Sequence, residues 1–149
     1  MHKYIALLAQ LAGIWTCTGA QEASILGPAH PTRATFSIAA GESWLKVHFA
    51  ESKTRDVPVP EVDDERWGYD EAAGRYVRFL FDNFGGFGRA ESAGLQEGKL
   101  VWTGEYQLEG EKLAFRETFT LRERTLADVF ELNQGGQWKQ VASATCKRK

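Results

Sequence analysis

The sequence is poor in the residues that staple a small fold, bind metal or cross a membrane. Its 149 residues include two cysteines, three histidines, one methionine and four prolines. There is no Cys-x-x-Cys pair, no His-x-x-x-His and no clustered His and Cys, so no metal site is expected. A Gly-x-Ser-x-Gly nucleophile elbow is missing. The glycine-rich stretch "NFGGFG", Asn83 to Gly88, lacks the Lys-Ser/Thr and the following helix of a phosphate loop, and reads as a tight bend or bulge. No apolar run reaches the ~20 residues of a membrane-spanning helix. Positive charge is not in excess either: 18 Lys and Arg face 20 Asp and Glu. That balance argues against a dedicated nucleic-acid partner, whose affinity rests on neutralising phosphates. The closing "KRK" is short and reads as a solubilising chain end.

What remains is an ordinary globular composition, 43% hydrophobic and 26% charged, at a length that suits one domain spanning 1–149. The opening "MHKYIALLAQLAGIW" has a lysine before an apolar run, as a signal peptide does. Gln10 interrupts that run, which leads straight into a strand. A short helix, Lys3 to Leu11, packed over one barrel end is the favoured reading.

After residue 12 no long amphipathic helix pattern occurs. Short runs rich in Val, Phe, Trp, Tyr and Thr alternate with turn residues. Ten strands are predicted: Gly13–Gln21, Ala34–Ala40, Ser43–Ser52, Glu65–Asp70, Arg75–Asp82, Gly88–Ala93, Lys99–Leu108, Lys112–Leu121, Leu126–Asn133 and Gln137–Cys146. Glycines 41, 74, 98, 110, 135 and 136 sit where turns need them, and short connections favour sequential antiparallel pairing. Two longer links carry the prolines, at 28 and 31 and at 58 and 60. They are expected at a barrel mouth.

Ten short antiparallel strands must hide two sheet edges, and closure into a barrel removes both. The expected fold is all-β: a closed or nearly closed up-and-down barrel with a short N-terminal helix. In such a barrel Cys17 on the first strand and Cys146 on the last become neighbours across the seam. A disulfide there would tie the two chain ends and place the protein in an oxidising compartment, periplasmic or secreted. The alternative is two free buried thiols in a cytoplasmic protein.

The helix followed by Gly13-x-Trp15 resembles the start of calycin barrels. More specifically, "LAGIWTCTGA", "GPAHPTRATFSI", "WGYDEAAGRYVRF", "DNFGGFG", "LVWTGEY", "FRETFT" and "GGQWKQVASATCKR" resemble DUF1579-type bacterial lipocalin-like proteins. The resemblance implies a small, often exported, single-domain barrel and names no activity. It also implies an arginine stacked on the first-strand tryptophan, for which Arg116 on Trp15 is the candidate pair. Nitrobindin-like calycins hold haem through a histidine near the C-terminus. The segment from Leu126 to Cys146 has none, so no cofactor is expected.

In "LAFRETFTL" the side chains of Leu113, Phe115, Glu117, Phe119 and Leu121 share one face at period two. A carboxylate among aromatics must be paired, protonated, facing a ligand or reaching water at a rim, which makes Glu117 the first candidate for polar or acid–base work. His48 is the second candidate. In "SWLKVHF" the core face reads as Leu45, Val47 and Phe49, which puts His48 outside unless a wet interior reverses the pattern. Phe79, Phe81, Trp102, Tyr106, Phe115 and Phe119 are expected as core or cavity wall. The candidate ligand-binding set is therefore Trp15, His48, Phe79, Phe81, Trp102, Tyr106, Phe115, Arg116, Glu117 and Phe119. The expected function is binding of a small apolar or amphipathic molecule by a monomer or homodimer. Two alternatives stand beside it: a small cofactor-independent isomerase or cyclase using Glu117 or His48, and an envelope or stress interaction protein with a filled barrel.

Overall fold

The computed structural model describes residues 1–149. A helix α1 (Lys3–Leu8) runs into a 3-10 turn (Ala9–Leu11), then eleven strands follow: β1 Gly13–Gln21, β2 His30–Ala40, β3 Leu45–Glu51, β4 Val62–Asp70, β5 Arg75–Asp82, β6 Phe87–Ser92, β7 Leu95–Gln96, β8 Lys99–Leu108, β9 Glu111–Arg122, β10 Thr125–Gln134 and β11 Gln137–Arg148. Ten of them make the barrel, and β7 is a two-residue hairpin arm on β8. The strands pair antiparallel with their sequence neighbours, β1 pairs with β11, and β6 pairs with β8 to complete the closure. β2 and β4 begin earlier than their apolar patterns suggest, at His30 and Val62. β2 adds His30, Pro31, Thr32 and Arg33, β4 adds Val62, Asp63 and Asp64, and cross-strand hydrogen bonding extends the ladder past the apolar run.

The seam carries the disulfide. Cys17 and Cys146 are directly opposed in the β1–β11 register and are bonded. The bond links positions 129 residues apart.

The two barrel ends differ. At one end α1 and its 3-10 turn insert Ile5, Leu8 and Leu11, all wholly buried, against Trp15, Leu45, Trp67, Leu100, Trp102 and Leu126. Tryptophan supplies large area there, and two of the three indoles have partners for their N–H. Trp15 donates to the carbonyl of Leu11 at 2.9 Å, so the first strand ties down the plug. Trp67 donates to Glu65 at 2.6 Å. The expected arginine over Trp15 exists, but it is Arg148, 4.5 Å from the ring, which also donates to the carbonyl of Gln10 at 2.8 Å. The "KRK" terminus is thus partly structural. Arg116 instead stands on the outer wall, 4.7 Å over the Trp138 ring and bidentate to Glu131 at 2.8 and 2.9 Å. It falls on the opposite face of β9 from Glu117, so it cannot reach Trp15.

At the other end the barrel is open. The link between β1 and β2, the link between β3 and β4, and the β5–β6 turn surround the mouth. That turn is the "NFGGFG" stretch. The Asp82 carboxylate accepts from the amides of Phe84 and Gly86, both at 2.7 Å, in the manner of an Asx turn. Gly85 adopts φ +87°, and a Cβ on Gly86 would collide with Asp82 and the Tyr106 ring.

Candidate functional site

Above the packed tryptophan floor the barrel encloses a cavity of about 400 Å³ that opens at the mouth. Its position follows from side-chain alternation. Along β4 the inward residues descend from Asp63 at the rim through Glu65 to Trp67 at the floor. On β5 they are Asp82, Leu80 and Arg78, and on β9 Phe115, Glu117 and Phe119. Phe36, Phe49, Leu80, Phe115 and Phe119 give the wall its apolar surface, and the disulfide forms part of it. Phe36 stacks on Phe119 at 5.6 Å, and Phe115 on Phe130 at 5.4 Å.

The polar centre of the wall is an Arg–Glu–Glu triad that spans the barrel. Arg78 donates to Glu65 through Nε at 2.7 Å and Nη2 at 2.8 Å. Its Nη1 donates to Glu117 across the interior. All three are buried. The guanidinium lies 5.6 Å from the Trp67 ring and 5.9 Å from Phe115, so aromatic faces cover what the carboxylates leave. The two carboxylates hold the Arg78 guanidinium firmly in its charged form, against the cost of its burial. A single side chain thereby fixes three strands from inside the barrel.

Next to the triad, Asp128 on β10 lines the cavity. Burial raises its pKa well above the ordinary aspartate value, and the neighbouring Glu117 raises it further. Its Oδ1 is shielded from solvent and has no hydrogen-bond partner. Burial thus favours the neutral acid at Asp128, beside the Glu117 side chain that Arg78 holds.

At the rim, Glu61, Asp63 and Asp82 bring carboxylate oxygens within 4.8 Å of one another. Burial, with the charges of Glu51 and Asp82, pushes Glu61 up to about 7. Burial, with the charges of Glu61 and Glu65, pushes Asp63 up to about 9, partly offset by Arg78. Seven carboxylates line the cavity, against one guanidinium and one imidazole, His30. His30 donates from Nδ1 to the carbonyl of Pro28 at 3.0 Å, and its Nε2 is 3.8 Å from Glu51.

Of the residues expected to touch a ligand, four do line the cavity: Tyr106, Phe115, Glu117 and Phe119. Trp15 and Trp102 are wholly buried in the floor beneath it. Phe79 and Phe81 are on the outer wall, Phe79 against Trp44 and Phe81 largely exposed. They point out because Arg78 and Leu80, their neighbours on β5, point in. His48 is also outside, with its Nδ1 2.9 Å from Asp64, so it cannot act in the cavity. Arg116 is external as described. Sequence reasoning missed Arg78, Glu65, Asp128, Asp63 and Glu61. A usable clue was the string "EVDDERW", in which Glu61, Asp63 and Glu65 alternate toward the same face as Trp67.

In overall architecture the chain is similar to the crystal structure of Rv2717c from M. tuberculosis. The TM-score is 0.75 at 12% identity, with 100% of this chain and 99% of that one covered. At that identity the likeness establishes the fold alone. No family model matches the sequence, and no curated protein matches it.

Proposed function

We propose that the protein binds a small apolar or amphipathic molecule inside the barrel. The observation that carries this reading is the cavity of about 400 Å³, floored by tryptophan, walled by phenylalanine and open at one end. Pockets of this volume with apolar walls and a few placed polar groups are the usual form of small-molecule sites. The disulfide is compatible with a protein that works in an oxidising compartment, periplasmic or secreted, and that location belongs to the same proposal. So does membership of the DUF1579-type lipocalin-like proteins. No helix is long and apolar enough to cross a membrane.

The test uses Nile red, a neutral apolar dye. The wild type is expected to bind it with micromolar affinity and to enhance its fluorescence. Ala34 lines the cavity and is itself buried, so Ala34→Trp places an indole in the space. It should weaken the dye by at least about tenfold, on the scale of one lost apolar contact region of ~1.4 kcal/mol, with the circular dichroism of the barrel retained. Equal binding by a folded Ala34→Trp variant would place the dye elsewhere and count against the cavity.

A second reading, proton-transfer catalysis in the same cavity, is favoured by the Glu117–Asp128 pair. It differs in the response to Glu117→Gln. An enzyme should lose turnover of its substrate by ~10²-fold or more, whereas a carrier should lose only part of its affinity.

A further inference from the structure

The cavity's charge is lopsided, and the imbalance is concentrated at the mouth. Arg78 is spent on Glu65 and Glu117, and His30 faces Glu51. No cation is paired with Glu61, Asp63 or Asp82, and Arg78 acts on Asp63 only from a distance. Asp82 uses Oδ1 to hold the β5–β6 turn, but its Oδ2 is shielded from solvent and has no partner. Asp63 Oδ1 is in the same state, as is Asp128 Oδ1 deeper on the cavity wall. Buried polar atoms without partners are uncommon in folded proteins and are costly where they occur. The Asp63 and Asp128 oxygens line the cavity and that of Asp82 belongs to the rim cluster, while the other partnerless atom on the cavity wall is Nε2 of His30, which faces Glu51.

We propose, resting on the reading of the barrel as a binding site, that its ligand is a cationic amphiphile: a protonated amine on an apolar body. The ammonium sits among Glu61, Asp63 and Asp82 at the mouth, and the apolar body descends along Phe36, Phe115 and Phe119. An ammonium donates up to three hydrogen bonds and accepts none, which matches oxygens that have no donor. A carboxylate-headed ligand would find no unpaired cation at the rim to receive it. A bare divalent cation is a poorer match. Calcium takes six to eight oxygens, the cluster offers three carboxylates, and the apolar space below would stay unused.

Protonation fits the same picture. In the empty barrel, burial and mutual repulsion favour the protonated forms of two of these groups, with Asp63 up at about 9 and Glu61 at about 7. The charged groups facing it are Glu51 from β3, Glu65 on β4, Arg78 and Asp82 on β5, and Glu117 from β9. A bound ammonium stabilises the charged carboxylates, so it must expel protons as it enters. Its affinity therefore rises with pH from 6 to 9, while that of a neutral ligand stays flat.

The experiment displaces Nile red with three ligands of one tail length, n-decylammonium, 1-decanol and decanoate, each below its micelle concentration. The expected order is decylammonium at least tenfold tighter than decanol, with decanoate weakest. Calorimetry in buffers of different ionisation enthalpy should show release of about one proton per decylammonium bound near pH 7.5, and none for decanol. The double variant Glu61→Gln/Asp63→Asn keeps the size of both side chains, removes two titratable groups and should fold. It should lose both the amine preference and the proton release, so that decylammonium displaces Nile red no better than decanol does. Decanol and Nile red bound with no preference for the amine, or with decanoate favoured, would overturn this inference and leave the binding reading standing. Calcium or magnesium ions alone reproducing the proton release, with no amine preference, would overturn it in favour of a metal. Failure of Nile red and all three ligands to bind would overturn the binding reading and this inference with it.

Discussion

Arg78→Ala is expected to destabilise the barrel by about 3–5 kcal/mol, because it leaves two carboxylates buried without their partner. For a chain of this length that corresponds to a fall in melting temperature of roughly 10–15 °C. The reason lies in the geometry of the triad. Glu65 and Glu117 both direct oxygens at one guanidinium, and both are shielded from water. Without Arg78 the carboxylates must take up protons or draw water into the barrel. Lysine should not rescue the loss, since a single ammonium cannot reproduce the planar fork that bonds Glu65 twice and still reaches Glu117. Simultaneous replacement, Arg78→Met with Glu65→Leu and Glu117→Met, should restore most of the stability, because an apolar triad of similar volume carries no desolvation cost. Thermal and urea melts of the three proteins decide the matter. A stable Arg78→Ala variant would mean that the triad is hydrated and contributes little.

The second large effect is expected at the seam. Replacing Cys17 and Cys146 together by alanine should cost about 2–5 kcal/mol, the usual range for a native disulfide that closes a long loop. The two residues oppose each other in register on β1 and β11, the chain's first and last strands. The bond therefore restricts nearly the whole unfolded chain, and the loop-entropy model places most of the effect there. Wild type melted in strong reductant should approach the double variant, and reductant should leave the variant unchanged. Mass spectrometry of the denatured, unreduced protein should find it two hydrogens lighter than the dithiol. A dithiol mass would remove both the predicted stability difference and the support for an oxidising compartment.

Some of this site was legible before the structure. Period-two alternation in "LAFRETFTL" placed Glu117 on the face of Phe115 and Phe119, and β9 does turn those three side chains inward. The same rule was indecisive on "RYVRFLF" of β5. Each face there is apolar apart from one arginine, Arg75 on one and Arg78 on the other, and local hydrophobicity favours turning Phe79 and Phe81 inward. The strand turns the other way because Glu65 and Glu117, on two other strands, supply the charge that lets Arg78 enter. A preference set by partners 13 and 39 residues away leaves no trace in a local pattern. His48 shows the converse. Its alternation put it outside, and there it meets Asp64.

By itself the sequence determined the class of fold and its closure. Short β-rich runs, turn glycines and a cysteine near each end constrain neighbouring residues, and neighbour constraints are what a linear chain displays. It also determined that an N-terminal helix precedes the Gly-x-Trp strand. The tertiary structure alone decided what the barrel contains. The floor of tryptophans, the triad on Arg78 and the acidic rim of Glu61, Asp63 and Asp82 each join strands distant in sequence. Whether a buried charge is tolerated depends on which opposite charge the closed barrel brings across the interior, and closure sets that distance.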